Sequence, residues 1–155
     1  MIALATSSQT ELYLAAAASR DNNSFERGED RPSEAPRPLR ILVVEDEFFI
    51  SLDIKELLET LGHVVVAIAI SADEAVNIAS SERPDVVLMD IRLAGPRDGI
   101  DAAQEIQSRL GIGSIFVTAN TDPETRKRAQ AIKPIAFLEK PLTEYRLRHI
   151  LADCR

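Results

Sequence analysis

Cysteine, tryptophan and glycine are scarce in this chain of 155 residues, which has one Cys, no Trp and six Gly. With Cys154 as the single thiol, no internal disulfide and no cysteine-rich metal site can form. That usage suits a reducing compartment, and a cytoplasmic protein is expected. Nothing approaches the roughly 18 unbroken apolar residues of a membrane span. No Lys or Arg precedes Arg20, so the positively charged start of a secretory signal is lacking. Basic residues are in deficit, 18 against 25 acidic, for a net charge of -7. Such a chain, without a basic stripe, repels a phosphate backbone, so no direct nucleic-acid partner and no membrane partner is expected.

Two nucleotide signatures are also missing. There is no G-x-x-x-x-G-K-[ST] phosphate loop, and Gly111 and Gly113 form a G-x-G without the third glycine of a dinucleotide fingerprint.

What is present divides at about residue 38. In positions 1–38, Ser8 and Glu11 stand at capping-box spacing before Leu12, Tyr13, Leu14 and four alanines, which suggests a short helix over 8–19. Arg20 to Pro38 is charged, Pro-bearing and almost free of large apolar residues, so positions 1–38 are expected to form a disordered N-terminal extension. From residue 39 to 155 the text is that of one folded domain. ILVVED (41–46), VVVAIAI (64–70), DVVLMD (85–90), SIFVT (114–118) and IAFLEK (135–140) are short, β-branched, nearly continuous apolar runs, expected as strands buried on both faces. Between and after them, helices are expected over 48–61, with Phe49, Leu52, Ile54, Leu57, Leu58 and Leu61 near helical period, and over 71–80, 99–110, 123–132 and 143–152. Five strands alternating with five helices predict an α/β parallel sheet covered on both faces.

In such sheets ligands bind beyond the carboxyl ends of the strands, where the strand order reverses. The runs end in Glu45 and Asp46, in Asp90, in Thr118 and in Lys140. Carboxylates gathered in one crevice repel unless a cation sits among them, and an oxygen-only set with no His or Cys selects a hard ion such as Mg²⁺. An aspartate can attack phosphorus, a lysine can neutralise the phosphoryl oxygens, and a hydroxyl can receive the group once in place. His63 and His149 are expected at the surface, without the surroundings of a phosphodonor.

Together ILVVEDE, DVVLMDIRL, IFVTAN and FLEKP make the chain, from Leu39 to about Ala152, resemble the receiver domains of bacterial two-component response regulators. The resemblance implies a flavodoxin-like, doubly wound five-stranded sheet of order 2-1-3-4-5. It implies Asp90 as phosphoacceptor, Asp46 and Asp90 as Mg²⁺ ligands, Glu45 holding the ion through water, and the Arg92 backbone carbonyl completing the shell. Thr118 would be the switch hydroxyl, with small Ala119 leaving it room to move. Lys140 would pair with the phosphate, Phe137 would be the aromatic switch, and Lys140-Pro141 would be cis. Arg92 and Asn120 stand where the family tunes hydrolysis of the acyl phosphate.

Three departures are visible. The Asp90 to Asp98-Gly99 loop is one residue longer than in most receivers, the first acid is Glu rather than Asp, and the aromatic lacks a hydroxyl.

The last expected helix ends about where the chain does, so no output domain is expected and signalling would pass through binding. The expected donor is a sensor histidine kinase or a histidine phosphotransfer protein. The expected output is a downstream protein meeting Arg126, Lys127, Arg128, Tyr145 and Arg148. No catalysis beyond the domain's own phosphorylation and dephosphorylation is expected. The alternatives are a receiver-like scaffold that binds without phosphate, or a phosphate sink in a relay. A phosphatase of the haloacid dehalogenase kind is a weaker match, because Arg92 stands where its second Asp is required.

Overall fold

A computed structural model describes residues 37–119 and 121–154. The expected extension up to residue 36, its short helix and the role of Asn120 lie outside the described residues. The elements alternate as β1 (Arg40–Val44), α1 (Phe48–Thr60), β2 (Val64–Ala69), α2 (Ala72–Glu82), β3 (Val86–Asp90), α3 (Gly99–Leu110), β4 (Ser114–Thr118), α4 (Pro123–Ala131), β5 (Ala136–Glu139) and α5 (Glu144–Ala152). All strand pairs are parallel and the sheet order is β2-β1-β3-β4-β5. The expected doubly wound fold is therefore present, and its order reverses between β1 and β3.

Strand alternation sends successive side chains to opposite faces. Leu42, Val44, Val87, Met89 and Phe116 pack on one side against α2, α3 and Ala129 of α4. Ile41, Val43, Val86, Leu88, Ile115 and Val117 pack on the other against Ile54, Leu58, Leu147 and Leu151 of α1 and α5. Helix starts follow local chemistry, with Ser71, Asp122 and Thr143 each accepting from a backbone N–H of the first turn. Asp98 and Asp101 close a reciprocal capping box at α3.

Three expectations need correction. β2 and β5 are edge strands and are not buried on both faces, Val64 being 46% exposed and Glu139 exposed, and they stop at Ala69 and Glu139. In α1 the buried positions are Ser51, Ile54 and Leu58, while Phe49 and Leu52 point outward. The Ser51 hydroxyl donates to the Phe48 carbonyl at 2.7 Å, which satisfies it inside the helix and lets a serine face the core. His63 is buried rather than exposed, its Nδ1 accepting the Leu39 N–H at 3.2 Å. His149 is exposed and packs edge-on against Tyr145.

Candidate functional site

Glu45 and Asp46 follow β1, Asp90 ends β3, Thr118 ends β4 and Lys140 follows β5, so the parallel register carries all of them to one edge of the sheet. Carboxylate oxygens of Glu45, Asp46 and Asp90 lie within 4.8 Å of one another. Glu45 and Asp90 are buried, while Asp46 is exposed to solvent. The Lys140 ammonium donates to Glu45 Oε2 at 2.6 Å and to Asp90 Oδ2 at 2.8 Å.

Two buried carboxyl groups thus share one ammonium, with the Asp46 carboxylate close by. Burial pushes the Glu45 carboxyl up, against the opposing pull of its hydrogen bonds from Lys140 and from the Glu47 N–H. Burial alone would lower Lys140, but its bonds to Asp90 and Glu45 prevail and hold its ammonium above the ordinary lysine value.

This donor set fits a small hard cation. Opposite ligands of an octahedral Mg²⁺ stand about 4.2 Å apart, twice its metal–oxygen distance, so oxygens spread over 4.8 Å match an ion held directly by some groups and through water by others. The chemistry of the set, oxygen without nitrogen or sulfur, points the same way.

The longer β3–α3 loop folds over the acids. Its Arg92 N–H donates to Asp90 Oδ1 at 3.0 Å and its Ala94 N–H to Asp46 Oδ2 at 3.1 Å. Arg92 itself is exposed. The loop returns tightly at Gly99, where a Cβ would fall 1.8 Å from the Asp90 carbonyl oxygen, so no other residue fits there without moving the chain.

Thr118 is buried, and its hydroxyl pairs with that of Thr121 at 2.8 Å. Ala119 is exposed beside it, and the Lys140-Pro141 peptide is cis. The Phe137 ring lies between the Phe116 ring and the Arg126 guanidinium, whose Cζ is 4.9 Å from the ring centroid. The expected basic surface is thinner than its composition suggests. Arg128 is engaged by Asp98 at 2.8 Å and Asp101 at 3.2 Å, and Arg148 pairs with Glu144. Arg126, Lys127 and Tyr145 are exposed.

Sequence reasoning missed Thr121, signalled only by a second hydroxyl three residues after Thr118. It also missed a cavity of about 440 Å³ beside Lys140, lined by Ile50, Ile54, Leu57, Ala119, Pro141 and Leu142. Phe48 and Phe49, 65% and 79% exposed, stand at the start of the same α1 helix.

A family model described as the response regulator receiver domain matches residues 41–152. The chain is 36% identical over 116 residues to the transcriptional regulatory protein PdtaR of Mycobacterium tuberculosis, covering 75% of this chain and 56% of that protein. It is 38% identical over 112 residues to the phyllosphere-induced regulator PhyR of Methylorubrum extorquens, covering 72% and 41%. The chain therefore spans about half the length of these curated relatives.

Among solved structures, the signal receiver domain of a modulated diguanylate cyclase from Desulfovibrio desulfuricans G20 superposes with a TM-score of 0.73 at 32% identity, covering 76% of this chain and 93% of that one. The anti-anti-sigma factor PhyR from Bartonella quintana superposes with a TM-score of 0.62 at 30% identity, covering 76% and 48%. Among the described residues no helix is long and apolar enough to cross a membrane.

Proposed function

The chain belongs to the family of response regulator receiver domains, and from that membership we propose that Asp90 accepts a phosphoryl group from a phosphohistidine and thereby switches the binding of a protein partner. One observation carries the reading: a buried aspartate at the end of β3 stands with two further carboxyl groups from the end of β1 and a lysine ammonium from the end of β5. A structural role would not gather like charges there, because each added carboxyl raises the cost of ionising its neighbours.

In the proposed reaction an Asp90 carboxylate oxygen attacks the donor phosphorus, the P–N bond breaks, and the imidazole leaves carrying the bonding pair and takes up a proton. Glu45, Asp46 and Asp90 would hold Mg²⁺, whose charge offsets that of the incoming phosphoryl oxygens. Lys140 keeps its proton at Nζ and turns part of its hydrogen bonding from Asp90 to the new phosphoryl group. The Arg92 N–H, already on Asp90 Oδ1, fixes the carboxylate rotamer before the donor arrives. The Thr118 hydroxyl then donates to a phosphoryl oxygen, and the small side chain of Ala119 beside it does not obstruct that movement.

The donor is a sensor histidine kinase or a histidine phosphotransfer protein, in the cytoplasm, and the domain turns over no separate substrate. Output passes through the α4–β5–α5 face, where Arg126, Lys127 and Tyr145 are exposed. The description of the Bartonella PhyR as an anti-anti-sigma factor supports output by protein binding.

The test is acyl-phosphate labelling. Incubation with acetyl phosphate and Mg²⁺ should label the wild type in an acid-stable, base-labile manner, and Asp90→Asn should take up none. Labelling that persists in Asp90→Asn would assign the acceptor elsewhere, and an unlabelled wild type would favour the phosphate-independent scaffold.

A further inference from the structure

Thr121 has no part in the chemistry above, yet its hydroxyl is the partner that holds Thr118. The two Oγ1 atoms are 2.8 Å apart, Thr118 is 4% exposed and Thr121 half-buried. A buried hydroxyl without a partner is costly, so Thr118 cannot simply idle in its pocket. It either keeps Thr121 or finds another acceptor. Thr118 is the last residue of β4 and is anchored on the main chain, where its carbonyl accepts the Lys140 N–H at 2.9 Å. Thr121 sits in the loop that precedes Asp122, the residue capping α4. The pair therefore ties the end of an inner strand to the start of α4, the first element of the proposed output face.

We infer that Thr121 is a positioning residue, a hydroxyl latch that holds Thr118 in the unphosphorylated state and competes with the phosphoryl group for it. The inference rests on the proposed phosphoacceptor reading and deepens it. In the latch Thr118 is the donor, and because its hydroxyl has a single proton, capture by a phosphoryl oxygen breaks the Thr118–Thr121 bond, so the free energy of that bond is subtracted from phosphoryl binding. Breaking it also frees the loop that leads into α4, which supplies a route from Asp90 chemistry to the output face. Thr125 reinforces the same loop end, its N–H and hydroxyl both donating to Asp122 at 2.9 and 2.7 Å, so the latch acts on a segment already organised as a unit.

The experiment measures beryllofluoride binding in the presence of Mg²⁺ by calorimetry on the full chain. Thr121→Val keeps the shape and removes the hydroxyl, and should bind beryllofluoride about three- to tenfold more tightly than wild type, the range expected for loss of one hydroxyl pair. Thr121→Ser keeps the hydroxyl and should match wild type. In a Thr118→Ala background, Thr121→Val should have no effect. The latch is overturned if Thr121→Val binds like wild type, if Thr121→Ser behaves like Thr121→Val, or if the gain survives in Thr118→Ala. Should the wild type bind no beryllofluoride, the phosphoacceptor reading falls and takes the latch with it. Binding by wild type, its loss in Asp90→Asn and an unchanged Thr121→Val would overturn the latch alone.

Discussion

At the edge where the strands begin, Asp85 and His63 are matched to partners and only the buried Ser114 hydroxyl, among the described residues, has none, whereas at the edge where the strands end, like charges are crowded together. Asp85, just before β3, accepts both guanidinium nitrogens of Arg37 at 3.1 and 2.9 Å and the Arg40 N–H at 2.8 Å. These bonds, that from Arg37 foremost, hold its carboxyl below the usual aspartate range despite some burial. His63 serves the Leu39 N–H at the same edge. At the opposite edge burial drives the Glu45 carboxyl the other way, and one ammonium serves two buried acids. One sheet thus contains polar groups that finish a fold and polar groups whose tension the fold must carry. Asp85 and Glu45, one of each kind, shift in opposite directions.

The largest effect on stability should come from Lys140→Met. Removing the only cation that reaches Glu45 and Asp90 among the described residues leaves buried acids unpaired, and about 3 kcal/mol should be lost in urea melts at neutral pH. The double variant Lys140→Met with Glu45→Gln should recover a substantial part of that loss. A double variant no more stable than Lys140→Met would mean that the ammonium's stem, and not its charge, supports this edge.

A smaller loss is expected where the fold is merely finished. His63→Ala strips a buried backbone N–H of its acceptor and should cost about 2 kcal/mol by the same melts, leaving Mg²⁺ and beryllofluoride binding at wild-type affinity. A change in that affinity would couple the two edges and blur the contrast between them.

Smallest of all is Asp85→Asn. Arg37 is 70% exposed, so solvent screens the pair and the loss in urea melts at neutral pH should be the smallest of the three. Its pH dependence has a definite sign. The folded carboxyl lies below its ordinary value of 3.8, so the stabilisation is fully present above that value and is lost as pH falls through the lowered one. Wild type and variant should converge in acid, and a gap that persists at low pH would contradict the ion-pair account.

Much of the fold was legible because parallel strands buried on two faces must be apolar at every position, a pattern readable without knowing any neighbour. Helix starts were equally local, as Ser71 and the Asp98 box show. The errors fall where a local pattern leaves a choice that neighbours decide. In α1 the period is helical either way, but the stripe facing β1 and β2 runs through Ser51, Ile54 and Leu58, which left Phe49 and Leu52 outside. His63 is polar by composition and buried because β1 begins against it. The basic surface shrank because Arg128 found Asp98 and Asp101, about thirty positions earlier, and not the solvent.

The order of strands and helices, the apolar faces of the central strands and the kinds of group at the strand ends were settled by the sequence alone, because backbone periodicity and capping act over a few residues. Pairings were settled only by tertiary structure. Lys140 meets Glu45 across 95 positions and Asp90 across 50, contacts set by strand order and parallel register. Whether Thr118 turned toward Asp90 or toward Thr121 was likewise a matter of loop path. Burial completed the difference, since the same carboxyl chemistry lies below its ordinary range at Asp85 and above it at Glu45, according to which partners and how much water the folded chain leaves around it.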